Sequence, residues 1–400
     1  MQNVPMEGNT AELRHIPVLV DEIMAFARQA ITPLPSLPNE RELWCVDATL
    51  GDGGHSLALL GLNERIRVLA FDRDGEMLAR ARARLHQSAI LSPLLTGTDF
   101  RQMRSRLRQA SSVRHWRVHA NYCHAAAWLT ELGIQPRFVL LDAGLSLFHY
   151  KAAGRGFSYS DSGLDMRLDH ALTDPEDQKA AALTSESSFA GQNAEAIPAL
   201  VWLNQASESE IADCLYQYGE EPLSRRIARS IVQNRPFGSA RQLADQIRTI
   251  IPIARQRKER IHPATRVFQA LRIRTNDELG ALSRAVASLS PLIEPGGMFA
   301  VISFHSLEDR IVKTHFKTIG QRLAARQQQD GNADQTLEAT GQTQKRPKEW
   351  KVRRKTTTGD RPGWWILTPR PLRPGESELQ RNPASRSACL RVLQRAATDA

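Results

Sequence analysis

The chain has 400 residues, more than one ordinary core absorbs, so two domains or one domain with a large insertion are expected. Hydrophobic residues make up 41% and aromatics 6%, which suits a globular protein, and the net charge of +10 favours a polyanionic partner such as RNA without bearing on the fold. Four scattered cysteines form no CxxC pair, so neither a zinc site nor a disulfide framework is suggested. No run reaches the 18 or so apolar residues of a membrane helix, and the N-terminus lacks the apolar run of a signal peptide. A cytoplasmic protein with no membrane partner is expected.

Short apolar runs alternate with helical patterns at both ends of the chain. Leu43-Trp44-Cys45-Val46 reads as a strand ending at Asp47, and Arg67-Val68-Leu69-Ala70-Phe71 as the next, ending at Asp72. Phe138-Val139-Leu140-Leu141 ends at Asp142, and Met298-Phe299-Ala300-Val301-Ile302 ends at Ser303. Buried parallel strands have this character, and in an open α/β sheet ligands bind at the carboxyl ends. Residues 153–261 read differently. Ser207-Glu208-Ser209-Glu210 fits a capping box, a second helix covers about Glu221 to Gln233, and Ser239 is placed as the N-cap of a third. This segment reads as a helical domain inserted into an α/β domain that occupies 1–152 and resumes over 262–400.

The return to the sheet reads as one long helix, with Phe268, Leu271, Thr275, Leu279, Leu282, Val286 and Leu289 at three- and four-residue steps. Pro295-Gly296-Gly297 stops it. Thr173–Glu195 is polar and Ala/Ser-rich; Gln321–Gln344 is Gln-rich and leads into the basic run Lys345–Lys355, within a low-complexity basic loop at about 321–361. Both stretches read as surface loops.

The sharpest local signal is Asp47-Ala48-Thr49-Leu50-Gly51-Asp52-Gly53-Gly54-His55-Ser56, between a strand and a helix. Glycines there let the backbone turn tightly and approach a ligand. The spacing is neither G-x-G-x-x-G nor G-x-x-x-x-G-K-[ST], so a dinucleotide, a phosphate, S-adenosylmethionine (SAM) or a plain turn all remain open. Asp72, about 20 residues on, stands where an acidic side chain accepts hydrogen bonds from both ribose hydroxyls of NAD or SAM. Its alternative role is a cap for a helix over Gly75–Leu85.

Further ordered blocks complete the pattern. They are His15-Ile16-Pro17-Val18-Leu19, Ala70-Phe71-Asp72-Arg73-Asp74, Arg155-Gly156-Phe157-Ser158, Leu164-Asp165-Met166-Arg167 and Tyr218-Gly219-Glu220-Glu221. Later come HPATRVFQALRI (His262–Ile273) with Asn276-Asp277-Glu278-Leu279, ISFHSLEDRIVK (Ile302–Lys313), and Asn382-Pro383 with Arg386-Ser387-Ala388. Together with the glycine turn, these blocks resemble the 16S rRNA (cytosine-N4)-methyltransferase family, known as MraW or RsmH, over most of the chain.

The resemblance implies a class I SAM-dependent methyltransferase fold, a Rossmann-like doubly wound sheet with an inserted helical domain. It implies N4-methylation of a cytidine in the decoding region of 16S rRNA, with the 30S subunit as partner and a homodimer among the possible assemblies. By resemblance Gly53, Gly54, His55 and Asp72 line the SAM pocket, joined by Asp142 and His149. An aromatic over the adenine is implied at the end of the third strand; of Phe100 and Tyr122, the spacing of Val118-His119-Ala120-Asn121-Tyr122 to Asp142 favours Tyr122. Residues 86–113 then become an insertion. Arg155, Asp165, Arg167, His305, Arg310 and Arg386 are the expected substrate or RNA contacts.

One block departs from the pattern. Where the family reads Asp-Leu-Gly-Val-Ser-Ser-x-Gln, this chain reads Asp142-Ala143-Gly144-Leu145-Ser146-Leu147-Phe148-His149. The second serine has become Leu147 and the glutamine His149. A cytosine amino group is a poor nucleophile, so the site must align N4 with the methyl group and accept a proton. Asp142 and Ser146 are the catalytic candidates. His305 with Glu308 or Asp309 has helical spacing, but no second histidine pair accompanies it, so no metal is expected. Three functions stay open: the rRNA N4-methyltransferase, a same-fold methyltransferase of another RNA or of protein, and a catalytically weakened RNA-binding homologue.

Overall fold

The computed structural model describes residues 16–32, 42–97, 99–151, 154–182, 196–258, 262–322 and 363–397. The apolar runs become strands of one nine-stranded sheet. Its strands are β1 (Leu43–Asp47), β2 (Ile66–Asp72), β3 (Leu94–Leu95), β4 (His115–His119), β5 (Phe138–Asp142), β6 (Met298–Ser303), β7 (Gln321–Arg322), β8 (Trp364–Ile366) and β9 (Cys389–Arg395). Their order is β3-β4-β2-β1-β5-β6-β9-β8-β7. The six strands from β3 to β6 are mutually parallel, β9 runs antiparallel to both β6 and β8, and β7 is parallel to β8.

Side chains alternate between two cores, as the strand period of two requires. Ile66, Val68 and Ala70 of β2 join the helices Val20–Ile31, Gly54–Leu60 and Gly75–Gln87. Leu69 and Phe71 face the helices Phe100–Gln109, Ala125–Leu132, Glu278–Leu289 and Ser306–Ile319. Helices on both faces explain why β6 is buried at every position and carries almost no polar residue. Asp47, Asp72 and Asp142 finish three neighbouring strands and therefore meet at one edge.

A third core is helical. Ile211 and Leu215 (helix Glu208–Gly219), Ile227 and Ile231 (helix Ser224–Gln233) and Leu243 and Ile247 (helix Ala240–Ile250) pack with Phe157, Leu164 and Met166. Ser207 and Glu210 form the capping box, and Ser239 accepts a hydrogen bond from the Gln242 N–H. The middle helix starts at Ser224, not Glu221. Glu221 is fully buried, accepts from the Leu223 N–H and is paired with Arg255 at 2.7 Å.

The return helix is two helices. Thr265–Asn276 packs in the third core and Glu278–Leu289 on the sheet. Asp277 between them has φ 47, a left-handed conformation that breaks the 3.6-residue ladder. The buried Asn276 amide donates to the Met166 carbonyl (2.7 Å) and accepts from the Leu168 N–H (2.9 Å), which fixes the break. Part of Thr173–Glu195 also differs from the loop reading: Pro175–Ala182 is helical. Its Asp177 accepts from the buried guanidinium of Arg117 on β4, the nearer of whose two bonds to Oδ1 and Oδ2 is 2.5 Å. Breaking such a buried pair costs about 3–5 kcal/mol. Residues 323–362, with the basic run Lys345–Lys355, lie outside the described residues. No helix among the described residues is long and apolar enough to cross a membrane.

Candidate active site

A cavity of about 400 Å³ opens at the carboxyl ends of β1, β2 and β5, between the sheet and the third core. Its first wall is the glycine turn. Buried Asp47 accepts from the Ser56 hydroxyl (2.7 Å) and the Thr49 N–H (3.3 Å). Burial pushes its carboxyl up to about 7, with the charges of Asp142 and Asp72 adding to the effect. The Leu50 N–H donates to the Phe71 carbonyl and the Gly51 N–H to Asp72 Oδ2, both at 2.8 Å. Gly51 has φ 51 and nothing within 4 Å of the position a Cβ would take, so the backbone there faces open space.

Gly53 corrects the pocket assignment. It does not line the cavity; a Cβ there would face Ala81 and Leu50, inside the fold. Its φ of 76 makes it the turn residue that starts the helix Gly54–Leu60. Gly54 and His55 do line the cavity. His55 Nε2 donates to the Val18 carbonyl at 2.9 Å, and burial depresses its pKa to about 4, so the ring is neutral near pH 7.

Asp72 lines the cavity at the end of β2. Burial raises it to about 6, and Oδ1 accepts from the Asp74 N–H at 2.9 Å. The helix Gly75–Gln87 is capped by Asp74, so the capping role weighed for Asp72 belongs two residues further on. Tyr122 sits in a short turn after β4 and lines the cavity, its hydroxyl 3.5 Å from the Glu278 carbonyl. Phe100 instead packs edge-on against Trp128 at 5.2 Å, in the second core.

The second wall is the loop after β5. The Asp142 N–H donates to Thr49 Oγ1 (2.8 Å), which ties this loop to the glycine turn. Asp142 Oδ1 accepts from the Gly144 N–H at 3.1 Å. A Cβ on Gly144 would lie 2.3 Å from the Phe304 ring, so only glycine fits beneath it. Ser146 Oγ accepts from the Phe148 N–H at 3.3 Å and so shapes the start of the short helix Leu147–Lys151. Asp142, Ser146 and His149 all face the cavity.

His149 is anchored by a residue that sequence reasoning missed. Its Nε2 lies 3.0 Å from Asp74 Oδ2, an oxygen that also accepts from Arg155 Nη1 at 2.7 Å. Burial pushes the Asp74 carboxyl up, but the His149 hydrogen bond and the Arg155 charge outweigh it and hold Asp74 at about 2. His149 Nδ1 is buried without a hydrogen-bond partner.

The expected RNA contacts divide. Arg155 is buried on Asp74 and also donates to the Arg167 carbonyl, so it is structural and cannot be a surface contact. Asp165 and Arg167 pair with each other at 2.7 Å, and Arg310 reaches Glu220 at 3.3 Å. Arg386 is exposed beside Ser387, which lines the cavity. His305 lines the cavity and forms a capping box with Glu308 at the start of the helix Ser306–Ile319. Glu278, His305 and Glu308 come close enough to share a cation. Of the three, Glu278 also accepts from Arg272, at 3.0 and 3.1 Å.

The open backbone at Gly51, the Asp72 carboxylate and the Tyr122 ring thus line one side of the cavity, next to a loop of polar groups. The chain matches the MraW methylase family over residues 12–183 and 191–396. It is 36% identical to the ribosomal RNA small subunit methyltransferase H of Heliobacterium mobile, over 96% of this chain and 99% of the relative. The protein of that name from Rhizorhabdus wittichii is 34% identical over 97% and 95%, and that from Treponema pallidum 34% identical over 96% and 93%. Fold, site and full-length similarity agree: the chain belongs to the MraW methylase family.

Proposed function

We propose that the protein transfers a methyl group from SAM to the exocyclic N4 of a cytidine in 16S rRNA of the small ribosomal subunit, in the cytoplasm. The observation that carries the reading is the joint between the two walls. The hydrogen bond from Asp142 to Thr49 sets the polar loop directly beside the side of the cavity lined by Gly51, Asp72 and Tyr122. The relatives' name, ribosomal RNA small subunit methyltransferase H, supplies the substrate class.

Bound SAM supplies a methyl group already activated on a sulfonium. Asp72 would accept from the ribose hydroxyls with the lone pairs left by Gly51 and Asp74, and Tyr122 would offer its ring to the adenine. His55 and Gly54 close the end of the cavity toward Pro17. The target base must be unstacked to reach this depth, as in other enzymes that act on a nucleobase. As N4 gains the methyl it sheds a proton, and Asp142 or Ser146 takes it up. The helical third core, with its wall of Tyr159, Phe268 and Gln269, holds the RNA side of the cleft. The division into a cofactor-binding body in two parts, 1–152 and 262–400, and a helical unit from 153 belongs to this proposal; by packing, that unit extends through Asn276.

The test is methyl transfer from labelled SAM to 30S particles lacking the modification, followed by mapping of the labelled nucleotide. Label on a cytidine N4 is expected. Label on another nucleotide or on protein would move the chain to a different substrate, and no label would leave an RNA-binding homologue.

A further inference from the structure

The helix Phe100–Gln109 lies within the first stretch that matches the family, residues 12–183, at the outer edge of the sheet. Met103 and Leu107 are buried and fasten it to the second core. Arg101, Arg104 and Arg108 fall on the opposite side at steps of three and four, with Ser105 and Gln109 between them. These five residues line an open surface concavity. Arg101 and Arg108 are exposed and Arg104 is partly so, with its Nε unpartnered. None of the three makes an ion pair among the described residues, and no Asp or Glu occurs in the chain from Phe100 to Thr130. Several arginines elsewhere are committed to carboxylates: Arg117 to Asp177, Arg155 to Asp74, Arg272 to Glu278 and Arg391 to Asp309. Three guanidinium groups held on one face without a counter-charge are what a row of phosphates requires.

Topology sets the direction of the row. The helix follows β3, which pairs in parallel with β4 at the outer edge of the sheet. It therefore begins near the edge where the cavity opens and runs back along the outer side of the fold. We infer that the face of Arg101, Arg104 and Arg108 is a docking surface for the phosphate backbone of the RNA substrate, binding the flank of the strand whose target base enters the cavity. The inference rests on the RNA reading of the previous section. Contact is to phosphates alone, so it adds affinity without sequence preference.

The experiment uses the full chain with Arg101, Arg104 and Arg108 all changed to Gln, and a companion with all three changed to Lys. Affinity for 30S particles and for protein-free 16S rRNA is measured across salt concentrations, with SAM affinity by calorimetry as the control for folding. Each phosphate contact contributes about 0.7–0.9 to the slope of log affinity against log salt. The Gln variant should lose about two to three from that slope on both RNAs with unchanged SAM affinity, and the Lys variant should keep most of it. An unchanged slope in the Gln variant overturns the inference. Loss confined to whole particles overturns it as well, because the partner would then be a ribosomal protein. If the triple variant does not fold, each single Gln variant should lose up to about 0.9, and no loss in all three counts against the surface. Failure of the wild type to methylate 16S rRNA would instead sink the functional reading, whatever the slopes.

Discussion

The loops after β1 and β5 face each other across the same cavity but are built by different means. In the first, the backbone is fastened from below: Ala48 and Leu50 N–H groups donate to the Leu140 and Phe71 carbonyls, and Asp47 and Asp72 tie down the rest. The second hangs from its neighbours. It is attached through Thr49, through the Ile302 carbonyl that accepts from the Ala143 N–H, through Phe304 over Gly144, and through His149 on Asp74. A loop whose backbone is bonded directly to the strands on either side of it, β2 and β5, can hold a cofactor without help from the opposite loop. A loop placed by contacts to three separate elements can be tuned by changes in any of them. Binding and transfer should therefore separate under mutation.

The largest separation is expected from Gly144→Val. The added side chain must displace the loop or Phe304, and a misplacement of about 1 Å costs on the order of a hundredfold in rate. Single-turnover methyl transfer should fall by that factor or more while calorimetric SAM affinity stays within about threefold, a difference well under 1.4 kcal/mol. Equal loss of both would mean that the two loops form one unit. The opposite pattern is expected at Asp72. Asp72→Ala should weaken SAM by about 1–3 kcal/mol through loss of a charged hydrogen-bond partner.

The pH dependence sharpens the same contrast. Asp72 accepts hydrogen bonds as the carboxylate, and burial raises it to about 6. SAM affinity should be level above about pH 7 and fall as the pH drops through 6, by at most tenfold per unit. Asp47, raised to about 7, titrates in the same region but is present in both proteins compared. Only the difference between wild type and Asp72→Asn is read, and the variant should lack the acid decline assigned to Asp72. Matching profiles would remove Asp72 from the cofactor. The smallest effect is expected from His149→Gln. A glutamine amide can donate to Asp74 as the imidazole Nε2 does, so transfer should change by less than about threefold. A larger loss would show that the unpartnered Nδ1 serves the reaction.

What could be read from the sequence was the chemistry that acts over a few residues. The capping box at Ser207, the glycine turn and the acids ending β1, β2 and β5 are local statements. The break at Asp277 was hidden because the apolar spacing continues on both sides of it, although the two halves serve different cores. Gly53 was given a ligand-facing role when its backbone angle was the reason for glycine, and Gly51 faces the open space. The helix Pro175–Ala182 escaped because its anchor, Arg117, lies far away in the chain. Asp74 was missed for the same reason: its importance comes from His149 and Arg155, which reach it from more than seventy residues away.

Asp277 has a mechanical meaning for the cleft. Arg272 on one helix and Glu278 on the other both line the cavity and are joined across the break at 2.9 Å. The wall there is a bent strut with one residue at the elbow, closed by an ion pair acting as a brace. Its angle is held by one left-handed backbone conformation, which asparagine or glycine would accept and a β-branched residue would resist. The spacing between the cofactor side and the RNA side of the cleft is therefore written into the torsion angles of a position that need never touch either ligand.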